Sequence, residues 1–227
     1  QGVWRFVNKN RWVIDPAALA ASGWPVDIIM NDFEAATWAL PDLPPEDQRV
    51  LKQKENQYDT YCLLGPGTGL GLGYLHHARA QKPFVQKTHG GHMPIAGLND
   101  EHDKIIAQIR ARQDKAVVFE TILSGAGYHM LQELTDAPTA MRLFHEFLGL
   151  FAATAVVAGH AYGGVYLTGG VVQHLVDNGV FDLTAFDRGF CFNAVASVRR
   201  DLQNTPIIYI TDPTPALRGL LACQKRI

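Results

Sequence analysis

Hydrophobic positions in this chain take two forms, short continuous runs and stripes spaced three and four apart, with polar or glycine-rich breaks between them. Residues 3–7 read as strand-like. Asp15-Pro16 followed by Ala17, Ala18, Leu19, Ala20 and Ala21 predicts a helix with Asp15 as N-cap and Pro16 in the first position, ended by Ser22-Gly23. Residues 26–30 form an apolar run that predicts a buried strand leading into Asn31-Asp32. The alanine-rich residues 33–40 predict a helix, stopped by Pro41 and the Pro44-Pro45 pair. Residues 60–64 and 70–75 predict two strands around a glycine loop. Residues 99–112 predict an amphipathic helix with Ile105, Ile106 and Ile109 on one face. Residues 117–123 are apolar and end in a turn at Ser124-Gly125-Ala126-Gly127, and residues 140–160 predict a long helix. A strand at 165–168, a turn at Gly169-Gly170, a helix at 171–177, a last strand at 206–211 and a closing helix at 215–223 complete the pattern. Strands alternating with helices predict an α/β architecture.

Composition narrows the classes. The 227 residues are close to half apolar and about a fifth charged, enough to bury a substantial core. A formal net charge of -2, with lysines and arginines scattered, argues against a nucleic-acid surface. The longest apolar run, residues 148–158, is too short for a membrane span and is interrupted by Gly149 and Thr154. Cys62, Cys191 and Cys223 are far apart and odd in number, which suggests neither a disulfide framework nor a zinc cluster. Cytoplasmic residence is the simplest reading. The chain opens at Gln1, without a signal-peptide pattern, straight into strand-like sequence, so residues are expected upstream.

Candidate chemistry gathers in five places. Gly65-Pro66-Gly67-Thr68-Gly69 offers bare N–H groups and a hydroxyl, the makings of a phosphate cradle. The same run also reads as a hairpin with a glycine turn whose second strand packs closely on a neighbour. It matches neither the Walker pattern nor the Rossmann fingerprint. Asn31-Asp32 stands where a strand is expected to pass into a helix, a place where ligands collect, although an Asp there also caps helices. His89-Gly90-Gly91-His92 reads as a loop presenting histidine to a small polar ligand. Its two histidines have zinc spacing only on a helix, which Gly90-Gly91 opposes, so no metal ligands are assigned. Glu120 is an acid in an apolar stretch, either half-exposed on a helix or turned into a polar site. Gly169-Gly170 would let a nucleotide approach a helix N-terminus, or is a tight turn.

In order, these segments resemble the bacterial glucokinase family of ATP-dependent kinases in the actin-like and sugar-kinase superfamily. The resemblance rests on Ile28-Ile29-Met30-Asn31-Asp32-Phe33-Glu34-Ala35, Leu64-Gly65-Pro66-Gly67-Thr68-Gly69-Leu70-Gly71 and Gly90-Gly91-His92-Met93-Pro94. It continues in Glu120-Thr121-Ile122-Leu123-Ser124-Gly125, Leu167-Thr168-Gly169-Gly170-Val171-Val172 and Thr211-Asp212-Pro213-Thr214-Pro215. It implies an actin-like ATPase (ribonuclease H-like) fold, mainly the large domain. Residues 1–31 would be the remnant of a small N-terminal α/β domain, 32–211 the large α/β domain, and 212–227 a C-terminal helix returning toward the small one. It implies that Asp32 is the general base for the 6-hydroxyl of glucose. Asn31, His92, Glu120 and, at the position where the family carries Glu, His89 would contact the sugar. Gly67, Thr68 and Gly69 would bind phosphate and Gly169 and Gly170 adenosine, with ATP and Mg²⁺ as cofactors. A homodimer is suggested by the resemblance, although no apolar stripe argues for one.

Three departures set the alternatives. The family's Asp-x-Gly-Gly-Thr-Asn loop has no match, and its expected place lies before Gln1. His89 offers one acceptor where a carboxylate offers two oxygens. The segment between Leu131 and Ala140 is short for the family. A kinase-derived binding protein for sugar or nucleotide, or a kinase for another sugar, are therefore the rival readings.

Overall fold

Asp15 turns the chain into its first helix. Its side chain accepts the N–H groups of Ala17 (3.0 Å) and Ala18 (3.2 Å), with Pro16 in the first position. The computed structural model describes residues 2–5, 12–54, 58–77, 82–193 and 195–226. They divide into two compact units, Gln1–Asn31 and Asp32–Ile227. In the first, β1 (Trp4–Arg5) pairs antiparallel with β2 (Val13–Ile14), and α1 (Pro16–Ala21) follows. The expected strand at 3–7 is seen only in part, because residues 6 and 7 lie outside the described ones. Residues 26–30 form no strand among the described residues and none of them is fully buried, a correction to the buried strand expected there. An apolar run supplies side chains for a strand; only a neighbouring edge supplies its hydrogen bonds.

The second unit opens with α2 (Asp32–Trp38) and β3 (Gln48–Lys52), then the hairpin β4 (Thr60–Pro66) and β5 (Leu70–His76), and β6 (Phe84–Lys87). Helices α3 (Asp100–Gln113), α4 (Phe119–Ile122), α5 (Gly125–Leu134) and α6 (Ala137–Gly159) follow. The chain ends through β7 (Gly164–Leu167), α7 (Gly170–Asp177), α8 (Leu183–Phe190), α9 (Ala196–Gln203), β8 (Ile207–Ile210) and α10 (Pro215–Gln224). The six strands form one sheet in the order β3-β8-β7-β4-β5-β6, with β4, β7 and β8 mutually parallel and the others antiparallel.

Alternation along β4 sets up three layers. Cys62 and Leu64 face a large core with Leu70, Leu72 and Tyr74 of β5 and the buried side of α6. Leu63 faces the opposite side, with Ala36, Ala39 and Ile210. On that side the glycines of the hairpin let α2 approach. A Cβ at Gly65 or Gly71 would strike the Phe33 ring, and one at Gly73 would strike Thr37. The close-packing reading of the run therefore holds for its strand glycines. Helix α10 crosses α2 just as tightly, since a Cβ at Gly219 would run into the carbonyl of Ala35.

Helix α6 is longer than the apolar run at its centre. By length and mean hydropathy alone it could cross a membrane, but 72% of that apolar window is buried inside the protein, as in a core helix. It packs over β4 and α8, and the hydroxyl of Tyr74 donates to the Ala155 carbonyl at 2.9 Å. The turn expected at residues 124–127 is instead the start of α5, with the Ser124 hydroxyl accepting the Gly127 N–H at 3.2 Å.

Candidate active site

The three parallel strands end at one edge of the sheet, where ligands of open α/β folds collect. From β4 the chain enters Gly67-Thr68-Gly69, from β7 Thr168-Gly169-Gly170, and from β8 Thr211-Asp212. The hairpin turn is closed by the Gly67 N–H donating to the Gly69 carbonyl at 2.8 Å. Its other shoulder rests on α5, whose first N–H, from Gly125, donates to the Gly67 carbonyl at 3.0 Å. Thr68 is exposed at the tip. Gly169 has φ of +93°, and a Cβ there would lie 2.5 Å from the Pro66 carbonyl oxygen. Two independent demands thus fix glycine at 169.

Next to the turn lie two of the polar groups singled out from sequence. Gly90–His92 is a short 3-10 turn whose glycines press on β5, a Cβ at Gly91 striking the Leu70 carbonyl. The following residues are stitched to α4: the Phe119 N–H donates to the Met93 carbonyl at 3.1 Å, and Pro94 bridges Val118. This brings Glu120 and His92 together, with Oε1 4.0 Å from Nδ1. The other carboxylate oxygen, Oε2, accepts the N–H of Leu70 at 2.8 Å. Glu120 is half-buried on α4, and its carboxylate is turned to the hairpin, so both readings of it were partly right. The His89 ring is 6.3 Å from that of His92, and both residues are exposed.

Asp32 is the first residue of α2 and is exposed, its Oδ1 accepting the Phe33 N–H at 2.8 Å. Asp32 lies inside the helix rather than before it, and it bonds the very next N–H rather than one two or three residues on, so it is not an N-cap of the usual kind. The Phe33 ring, packed on Gly65 and Gly71, ties this carboxylate to the base of the hairpin. Asn31, exposed, is the last residue of the first unit.

Two hollows flank Gly170. One, of about 330 Å³, lies between α5, α6 and α7 and is walled by Gly125, Tyr128, Met141, Phe144, Gly170 and Val171. The other, of about 200 Å³, is polar, with Thr168, Gln173, Thr211 and Asp212 in its wall. Burial would raise the Asp212 pKa, but hydrogen bonds from Arg218 and from Thr214 outweigh it and hold the carboxyl below its usual range. The apolar wall was missed in the sequence because its residues come from three helices and form no local motif.

The family model described as Glucokinase matches the chain in two pieces, residues 1–137 and 129–227. The chain belongs to the glucokinase family. The pieces overlap at the corner between α5 and α6. The chain is similar to the glucokinase of Photorhabdus laumondii, 29% identical over an alignment that covers 96% of this chain and 75% of the relative. Among solved structures it is similar to a glucokinase from an Antarctic psychrotroph, with a TM-score of 0.81 and 22% identity over 95% of this chain and 74% of that one. It is also similar to Balamuthia mandrillaris glucokinase in complex with glucose, with a TM-score of 0.67 and 18% identity over 86% of this chain and 65% of that one. The fold is the actin-like ATPase fold of the sugar kinases, as the sequence motifs implied.

Proposed function

We propose that this protein phosphorylates glucose at its 6-hydroxyl with ATP. The observation that carries the reading is the gathering of the hairpin turn, Gly169-Gly170 and the Glu120–His92 pair at one edge of the sheet. The hollow beside Gly170 is of ligand size and largely apolar, which suits a purine, while the backbone of Gly67-Thr68-Gly69 and the N-termini of α5 and α7 suit phosphate. Mg²⁺ fits as an ion carried by the phosphates. No group of three or more metal-binding side chains occurs among the described residues, and Mg²⁺ at such sites needs only one or two carboxylates. When bound, Mg·ATP supplies the phosphoryl group and compensates its charge.

The chain's own residues then do three things. Asp32 takes the proton of the 6-hydroxyl on its carboxylate, which the Phe33 N–H anchors through one oxygen. His92 and Glu120 hold sugar hydroxyls, and their pairing disfavours analogues that leave either group unmatched. Asn31 and His89 are assigned further sugar contacts on the resemblance. The turn at residues 67–69, closed by the Gly67 N–H on the Gly69 carbonyl, orients the phosphate through its remaining backbone donors.

The test is ADP release with ATP, Mg²⁺ and a panel of hexoses. Glucose-dependent release that Asp32→Ala abolishes, with glucose binding retained, supports the proposal. Release with a different hexose alone assigns His89 to another sugar. Glucose binding with no turnover on any sugar makes the protein a kinase-derived binder.

A further inference from the structure

Glu120 touches two parts of the site at once. Its Oε2 accepts the N–H of Leu70, the first residue of β5, at 2.8 Å. Its Oε1 stands 4.0 Å from His92 Nδ1, too long for a hydrogen bond. A hydroxyl oxygen about 2.8 Å from each atom spans that gap. The turn between β4 and β5 carries two glycines in three residues, with the Gly67 N–H bond to the Gly69 carbonyl closing it from within. It is held at its shoulders, by the Gly125 N–H on the Gly67 carbonyl and by Glu120 on the Leu70 N–H. The second of these is a charge-assisted bond, the stronger kind. Gly69 abuts the same carboxylate, since a Cβ there would lie 2.8 Å from Oε2.

We propose that Glu120 is a positioning residue that couples sugar occupancy to the phosphate-binding turn, which rests on the sugar-kinase reading above. A sugar hydroxyl on Oε1 stops the carboxylate from rotating and so fixes the Leu70 N–H and the turn. By linkage, phosphate on the turn fixes the carboxylate for the sugar to the same degree. A residue that only contacted sugar would leave nucleotide affinity in the absence of sugar untouched.

The experiment is calorimetric titration of the protein with glucose and with the non-hydrolysable Mg·AMP-PNP, each alone and each in the presence of the other. In the wild type each ligand tightens the other at least about five-fold. Glu120→Ala weakens Mg·AMP-PNP about ten-fold without any glucose present, the loss expected for one charged hydrogen bond. Glu120→Gln, whose amide oxygen still accepts the Leu70 N–H, restores nucleotide affinity. Gly69→Ala, on the phosphate side, weakens glucose with no nucleotide present. The last two variants carry the test if Glu120→Ala does not fold. Nucleotide affinity unchanged in Glu120→Ala, or glucose affinity unchanged in Gly69→Ala, overturns the coupling. A wild type that binds neither ligand overturns the sugar-kinase reading, and the coupling falls with it.

Discussion

Replacing Gly71 by alanine tests whether Phe33 holds Asp32 against the hairpin. An added Cβ would lie 2.5 Å from Phe33 Cδ2 and 2.6 Å from both Cε2 and Cγ. Carbon atoms in ordinary contact sit about 3.5–4.0 Å apart, so the ring must withdraw by about 1 Å. It cannot do so freely, because Gly65 faces the same ring and α10 crowds the far side of α2 at Gly219. Overpacking of this kind costs about 1–3 kcal/mol. For a chain of this size about 2–4 °C of melting temperature is lost per kcal/mol, so a fall of about 2–12 °C is expected. The displacement also reaches Asp32, which is adjacent in the chain and bonded to the Phe33 N–H. A 1 Å misplacement of a reacting group can cost about 100-fold in rate. The assay is a double-mutant cycle by thermal melting, with glucose-dependent ADP release in parallel. Phe33→Leu destabilises the parent but relieves Gly71→Ala, so the two changes together cost less than their sum. Strict additivity, or a Gly71→Ala protein that melts and turns over like wild type, refutes the packing argument.

Gly219→Val should separate α10 from α2, because even a Cβ meets the Ala35 carbonyl; a melting temperature lower by about 2–12 °C is expected. Val171→Trp should fill the hollow at α7 and weaken Mg·AMP-PNP by more than about ten-fold, with glucose affinity in the absence of nucleotide unchanged by calorimetry. Stability should fall on acidification in two stages. His145 is buried, its Nδ1 donating to the Met141 carbonyl and its Nε2 accepting the Asp182 N–H, and burial holds its pKa below 6.5. The folded value is the lower one, so its contribution is complete above about 6.5 and is lost as the pH falls. For Glu146 burial acts upward, but hydrogen bonds from His102, Arg188 and Arg142 win and keep it below 4.5, so its contribution is lost below that. Melting curves from pH 7.5 to 4 should show both stages, and His145→Phe should flatten the upper one.

What was legible in the sequence was local chemistry. Asp15-Pro16 announced its helix because a cap is written within three residues of the turn it makes, and residues 99–112 announced theirs through the spacing of Ile105, Ile106 and Ile109. The hairpin was legible because its glycines stand in its own strands and turn. Edge strands β3 and β6 were missed, since their burial is partial and their pairing with β8 and β5 is decided elsewhere in the chain. Helices α8 and α9 were missed as well. Residues 26–30 erred the other way, apolar enough for a strand but without a described partner. Glu120 was visible as an oddity, yet its grip on Leu70 joins residues fifty apart and has no sequence signature.

At the corner between α5 and α6, Thr135 ends one helix and Asp136 starts the next, its carboxylate accepting the Thr139 N–H at 2.8 Å, and residues 136–138 are exposed. No strand passes through it, so residues spliced there would leave the sheet's ladder intact. The helices on either side carry Tyr128 and Met141, which wall the hollow beside Gly170. A change of loop length at this one joint would therefore reshape the roof of that hollow while the strands beneath stay fixed.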